Sequence, residues 1–438
     1  MSVRTMASWR KLALEAAAGV RSNPAQVIVS IVIAIMLALA TWSTNLATSQ
    51  WQGATRAEIK ASTATLETIR QVYHDEAPTA FDIARLLVRA SALDPAAAEH
   101  PDGPAAMEAA TFRKAAAELR LAQHDTASLV SARYEQPDHG YDVNRRIGDS
   151  LGDSSSLRGP AEAAMAEGDR LALLARILAG APVLVVLVFI TVRLIGHRRQ
   201  RRMWRPAGSE ADVGLIPQPW SERPRMRLIS ATALSAWVLL TVLTAAQLSF
   251  SAGSARADAS ASRLATTLSG HLLASQFHSA LIADGTRSGI ELAMVGLARQ
   301  FVSTTTANEA QEAVGKADER AAETWKGIVA RMTAGPTKAD GIDADTVRMI
   351  VSQPKEWNAL LSEGNSATAA AEAQGVSANL ATLGLLLAAL SATTASAARV
   401  RRSSQTLGTV ASLSLLGAAS IAAIASFFPG TANSGPWI

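Results

Sequence analysis

Three clusters in this sequence carry residue types that could do chemistry. Gly148-Asp149-Ser150-Leu151 sets a serine hydroxyl beside a carboxylate, the raw material of an activated nucleophile. His271 and His278 stand seven apart, so a helix puts both imidazoles on one face, where they could bind a metal or titrate. His74-Asp75-Glu76 is polar and titratable and lies just before Pro78. Each has a gap. A zinc site needs three or four ligands, and no carboxylate lies between the two histidines on their face. The 74–76 triplet sits at a predicted helix end, where such residues cap or solvate the backbone.

The Gly148–Leu151 block resembles the nucleophile block of GDSL-type esterases. The resemblance implies a serine at the end of a strand and an Asp-x-x-His motif downstream. Here Arg145-Arg146-Ile147 precedes the block in a helical context, and no Asp-x-x-His follows it. The expectation is therefore that Ser150 is not a nucleophile. The sequence contains no cysteine, which excludes thiolate zinc sites, disulfides and cysteine nucleophiles. No G-x-x-x-x-G-K-[ST] loop is present, so any ATP hydrolysis would belong to another chain. No metal, nucleotide or other cofactor is expected.

The elements that would position these residues are dominated by apolar runs. In a chain of 438 residues, five stretches approach or exceed the roughly 18–20 residues needed to cross a bilayer. They are residues 25–42, 171–195, 228–248, 376–397 and 407–428. Residues 25–42 follow a basic stretch too long for a secretory leader, and read as an uncleaved signal anchor despite Ala38-Leu39-Ala40. Trp42 and Trp51 suit an interfacial aromatic belt. Arg176 is the one ionisable residue well inside a span, and proton relays or ion pathways normally need more.

The net charge of +4 matters less than its placement. Residues 1–24, 196–227 and 398–406 are rich in arginine, which predicts that all three face the cytoplasm. Residues 43–170, 249–375 and the tail 429–438 then lie outside. Arg198, Arg199, Arg201, Arg202 and Arg205, in HRRQRRMWR, are expected to meet anionic lipid headgroups or an acidic partner rather than nucleic acid. Residues 1–24 interleave Arg4, Arg10 and Arg21 with Trp9 and Leu12, as in a helix on the membrane surface.

Both polar segments read as helical. Ile59, Leu66, Ile69 and Tyr73 continue the first span as a helix, and Asp75–Pro78 should break it. Ile290, Met294, Leu297 and Phe301 fall at 4-3-4 spacing, the seam of a helix packed inward in a bundle. Val314, Ala317, Ala321 and Ile328 make a second stripe. Breaks are expected at Ala283-Asp284-Gly285, Gly335-Pro336 and Pro354. The last two spans must form a hairpin, packed through Gly384, Ala388, Ala392 and Ser396 against Ser414, Ala418, Ala422 and Ser426.

The expected fold is all-α: a polytopic membrane protein with five transmembrane helices and two mostly helical extracytoplasmic domains. The plan of span, helical bundle, span and basic exit resembles bacterial chemoreceptor and sensor-kinase ectodomains. Separately, WRKLALEAAAGVRSNP followed by a span resembles the elbow helix of FtsX/MacB-like permeases. That likeness implies an ABC-type exporter with a separate ATPase. The leading expectation is a non-enzymatic scaffold, sensor-like or accessory subunit of a bacterial envelope complex, in the cytoplasmic (inner) membrane. Its expected partners are the bilayer, an envelope protein and a second copy of itself.

Overall fold

The structure is a computed structural model that describes residues 24–123, 128–152, 155–203, 222–306, 308–400 and 405–428. It is helical almost throughout, with no strand among the described residues. In order come α1 (Pro24–Arg70), a π-helical turn (Gln71–Glu76), α2 (Ala77–Glu99), α3 (Pro104–Ala122), α4 (Val143–Leu151) and α5 (Ser155–Met203). Then follow α6 (Glu222–Thr306), α7 (Glu309–Met332), a 3-10 turn (Lys338–Asp340), α8 (Ala344–Val351), α9 (Pro354–Val400) and α10 (Gln405–Phe427). The chain divides into two compact units.

The first unit takes in the described residues of Met1–Ala54, Ala163–Ser260 and Ser366–Ile438. Among the described residues, five helices are long and apolar enough to cross a membrane, and the five expected spans fall one on each. Large side chains such as Ile35, Leu184, Val188, Trp237 and Ile421 point outward, while Ala40, Ala179, Ala236, Ala381, Ala388 and Ala419 are buried. Water would force the reverse arrangement. Lipid gives large apolar groups no reason to hide, so close approach of small residues sets the packing. Hydroxyls on these helices fold back onto carbonyls four residues earlier, as Thr44 does to Ala40 and Thr241 to Trp237, both at 2.9 Å.

The hairpin of α9 and α10 packs through Ser391, whose hydroxyl donates to the Ser412 carbonyl at 2.8 Å. Gly384 lies against Leu243 and the Ala419 carbonyl, and a Cβ there would sit 3.0 Å from Leu243 Cδ1. Ala388 and Ala392 share the buried face of α9. On α10 the buried residues are Thr409, Ser412, Ala419, Ala422, Ala423 and Ser426. This corrects the expected stripe: Ser414 and Ala418 lie on the exposed side. An alanine-rich helix has small residues at neighbouring angles, so periodicity alone cannot pick the face. The Ser391 hydrogen bond and the Gly384 contact pick it. Ser396 carries no described side-chain environment.

Trp51 also differs from expectation. It is 1% exposed, and its indole N–H donates to Asp169 Oδ1 at 3.2 Å. Arg256 grips the same carboxylate with 2.8 Å contacts from Nε and from its terminal nitrogen. Gly168 makes the room, since a Cβ there would come within 2.6 Å of the Trp51 ring. Trp42, at 62% exposure, remains on the outside.

The second unit is Thr55–Glu162 with Ala261–Asn365. The two polar segments, expected as separate domains, share one core. Ile69, Phe81 and Ile83 come from the first segment and Leu281, Trp325 and Ile328 from the second. The reason is composition: each segment is rich in alanine and short of large apolar side chains, so neither fills a core alone. The helix does not break at Asp75–Pro78. It widens into the π-helical turn, where Ala77 N–H reaches back five residues to the Val72 carbonyl. Pro78 falls in the first turn of α2, where its missing N–H is tolerated. The widening turns Val72, Tyr73 and Glu76 inward.

Candidate functional site: an exposed apolar face of α6

Gly285 was expected to end a helix, yet α6 runs through it unbroken. The glycine is needed for contact. A Cβ at Gly285 would lie 2.8 Å from Val329 Cγ1, and one at Gly289 would lie 2.9 Å from Trp325 Cδ1. At Gly296 the nearest atom, Glu319 N, would be 3.2 Å away. The Gly285 carbonyl accepts the Trp325 indole N–H at 3.0 Å. Glycines and Leu292 therefore form the inward face of α6, against the Val314, Ala317, Ala321 and Ile328 stripe of α7, which is buried.

The 4-3-4 seam then points the other way. Ile290, Met294, Leu297 and Phe301 are 60%, 63%, 61% and 71% exposed. The expectation that they pack inward is corrected for a steric reason: the bulk of Trp325 and Val329 admits only the glycine face. Exposed Val295 and Val302 flank the seam. An exposed apolar patch of this kind is a candidate binding surface.

Ion pairs hold the helix with this face outward. Asp318, 1% exposed on α7, receives Arg89 Nε at 3.0 Å, and an Arg299 terminal nitrogen lies 3.2 Å from its other oxygen. Arg299 also meets Glu108 at 2.7 Å, and the Arg89 guanidinium lies 4.3 Å from the centre of the Phe112 ring. Arg85 and Arg287 both engage Glu291, at 3.3 and 3.1 Å. The seam sits on a helix tied to α2, α3 and α7.

The candidate chemical residues lie elsewhere in this unit. Ser150 is on α4, its hydroxyl donating to the Arg146 carbonyl at 2.9 Å and contacting the Arg146 guanidinium. Asp149 accepts from the Tyr134 hydroxyl at 2.9 Å and pairs with Arg133 at 2.7 Å. Glu76, expected to solvate a helix end, is buried against Arg146, a pairing 70 residues apart that no local spacing announces. His278 donates from Nε2 to the Thr333 carbonyl at 2.9 Å, with its ring 5.7 Å from that of Tyr73. Burial raises the pKa of the Tyr73 phenol. Among the described residues no group of three or more histidine, cysteine or carboxylate side chains is placed to hold a metal. Arg198, Arg199, Arg201 and Arg202 lie on the last turns of α5, and Arg205 lies outside the described residues, as do residues 1–23.

His271 is buried, and its Nδ1 has no hydrogen-bond partner. Burial pushes its imidazole pKa down; Glu356 and Asp345 pull it partly back, while Arg158 and Arg348 depress it further. The folded state therefore favours the neutral form of His271, and as pH falls the unfolded chain takes up the proton first. Stability present above the unfolded value of about 6.5 is lost as pH falls toward the depressed folded value. Melting temperatures at pH 7.5 and 5.5 should show an acid-induced drop that His271→Gln reduces. An equal drop in both proteins would assign the effect to other groups.

Comparison with family models, with characterised proteins and with solved structures finds no match to this chain.

Proposed function

We propose that this chain is a non-enzymatic integral membrane protein of the bacterial cytoplasmic membrane. It acts as a scaffold, sensor-like or accessory subunit of an envelope complex, with the amino terminus inside and the helical polar unit outside. The observation that carries this reading is the α6 seam: four large apolar side chains left exposed on a clamped helix. Exposure of this kind is unfavourable by roughly 25 cal/mol per Å² of apolar surface and is offset when a partner covers it. The arginine placement supports the orientation. Arg198, Arg199, Arg201, Arg202 and Arg205 then face anionic headgroups on the inner side.

The test is assembly of the full-length protein. Met294→Glu with Leu297→Glu should leave the melting temperature of the protein close to wild type, because both side chains are exposed. The same variant should lose the assembly that wild type forms in native membranes, read as a fall in mass by light scattering. An unchanged assembly would sink the reading. Stoichiometric recovery of an ATPase bound at residues 196–227, independent of the seam, would replace it with the exporter-permease alternative.

A further inference from the structure

We propose that His271 is a proton-operated latch: on taking up a proton in acid, it releases the short helix α8 while the rest of the polar unit stays folded. The inference goes beyond the scaffold reading and needs no partner on the α6 seam. His271 is 8% exposed on α6, and its buried Nδ1 has no hydrogen-bond partner. A neutral imidazole tolerates this, because its proton can sit on Nε2 and leave Nδ1 a bare acceptor. The imidazolium does not. Both nitrogens then carry protons, and the buried one at Nδ1 finds no acceptor.

The element it holds is small. α8 has 8 residues, too few to persist as an isolated helix, and hangs between residues 333–343 and the link at 352–353. It places Thr346, Met349 and Ile350 in the core. Gly270, next to His271, brings α6 against it: a Cβ there would lie 3.3 Å from Met349 Cε and 3.2 Å from Ser62 Oγ of α1. The charges that act on the ring come from three other helices. Glu356 at the start of α9 and Asp345 on α8 favour the imidazolium, while Arg158 on α5 and Arg348 on α8 oppose it. Both carboxylates have other partners. Asp345 is paired with Arg158 at 3.1 Å, and Glu356 accepts the Gln353 N–H at 3.2 Å. On α1, Glu58 is held by Arg263 of α6 at 3.1 Å. In the packed position burial pushes the imidazole pKa down. Once α8 lifts away, the ring titrates near the ordinary value of about 6.5. Protons therefore bind the open form more tightly, and falling pH draws α8 open.

The absence of native cysteine lets single cysteines report each element. Met349→Cys and Ile350→Cys, made separately, report α8. Val88→Cys, buried on α2, reports the rest of the unit, and Leu121→Cys, exposed on α3, corrects for the reagent. Full-length protein in native membranes is labelled with a water-soluble pyridyl disulfide, which reacts in acid, from pH 7.5 to 5.0. The expected result is a several-fold rise at the α8 cysteines relative to Leu121→Cys, with Val88→Cys still shielded. His271→Gln and His271→Phe take up no proton, and each should abolish the rise. If one of them leaves α8 reactive already at pH 7.5, the other is read. Reactivity at pH 7.5 in both means that the ring holds α8 by packing alone, which overturns the latch. So does α8 that is reactive at pH 7.5 with His271 in place, since it is then not held shut. No rise in acid, an equal rise at Val88→Cys, or a rise that survives the His271 replacements overturns it as well.

Discussion

Trp325→Ala should be among the most damaging substitutions of a single side chain in the polar unit, costing about 3–5 kcal/mol. The indole is 0% exposed, stands edge-on to Phe81 with ring centres 5.7 Å apart, and donates to the Gly285 carbonyl. Truncation leaves a cavity lined by α2, α6 and α7, and removes the second hydrogen bond to a carbonyl that α6 already uses in its own ladder. Gly285 and Gly289 have no side chains to fill the gap, because their lack of a Cβ is what admitted the ring. Loss of resistance to protease in the polar unit and a lower denaturation midpoint are the readouts. Trp325→Phe should cost less, since it keeps most of the volume and loses the indole donor. A loss under about 1 kcal/mol for the alanine variant would mean that α6 and α7 repack freely, and would undercut the account of why the seam faces outward.

Arg146→Leu should rank beside it, at about 3–5 kcal/mol, because it strands a buried carboxylate. Glu76 accepts Arg146 Nε at 2.9 Å and a terminal Arg146 nitrogen at 2.7 Å, together with Leu129 N–H at 2.7 Å and Gln71 Nε2 at 3.1 Å. Every acceptor direction is used, and both side chains are under a tenth exposed. Without the guanidinium the charge stays buried with neutral donors alone. Glu76→Gln added to Arg146→Leu removes that charge and should recover much of the loss, since a neutral pair of similar volume escapes the desolvation cost. Chemical denaturation of the two variants and of wild type decides it. A double variant no better than the single one would show that the guanidinium acts through packing.

How much of this was legible beforehand depends on whether a feature is local. Helical content, the five apolar spans and the arginine clusters follow from runs of residues and need no knowledge of what lies opposite. The α7 stripe was legible for the same reason, as its buried face is also its most apolar face. The α6 seam is visible in the sequence as a pattern, and its spacing suggests an inward face where the structure has an outward one. Its spacing says that four apolar groups share a face, and says nothing of whether a neighbour covers it.

The candidate site therefore divides between the two levels. The sequence by itself determined that the chain is helical, that five of its segments suit lipid, and that residues 290, 294, 297 and 301 form one stripe. Tertiary structure alone decided that the stripe is exposed, that Ser412 rather than Ser414 meets Ser391, and that Glu76 finds Arg146. In an alanine-rich helix several faces are small enough to pack, so the choice passes to whichever distant side chain is bulky, charged or capable of a hydrogen bond. Trp325 made that choice for α6, by fitting only where glycine leaves room.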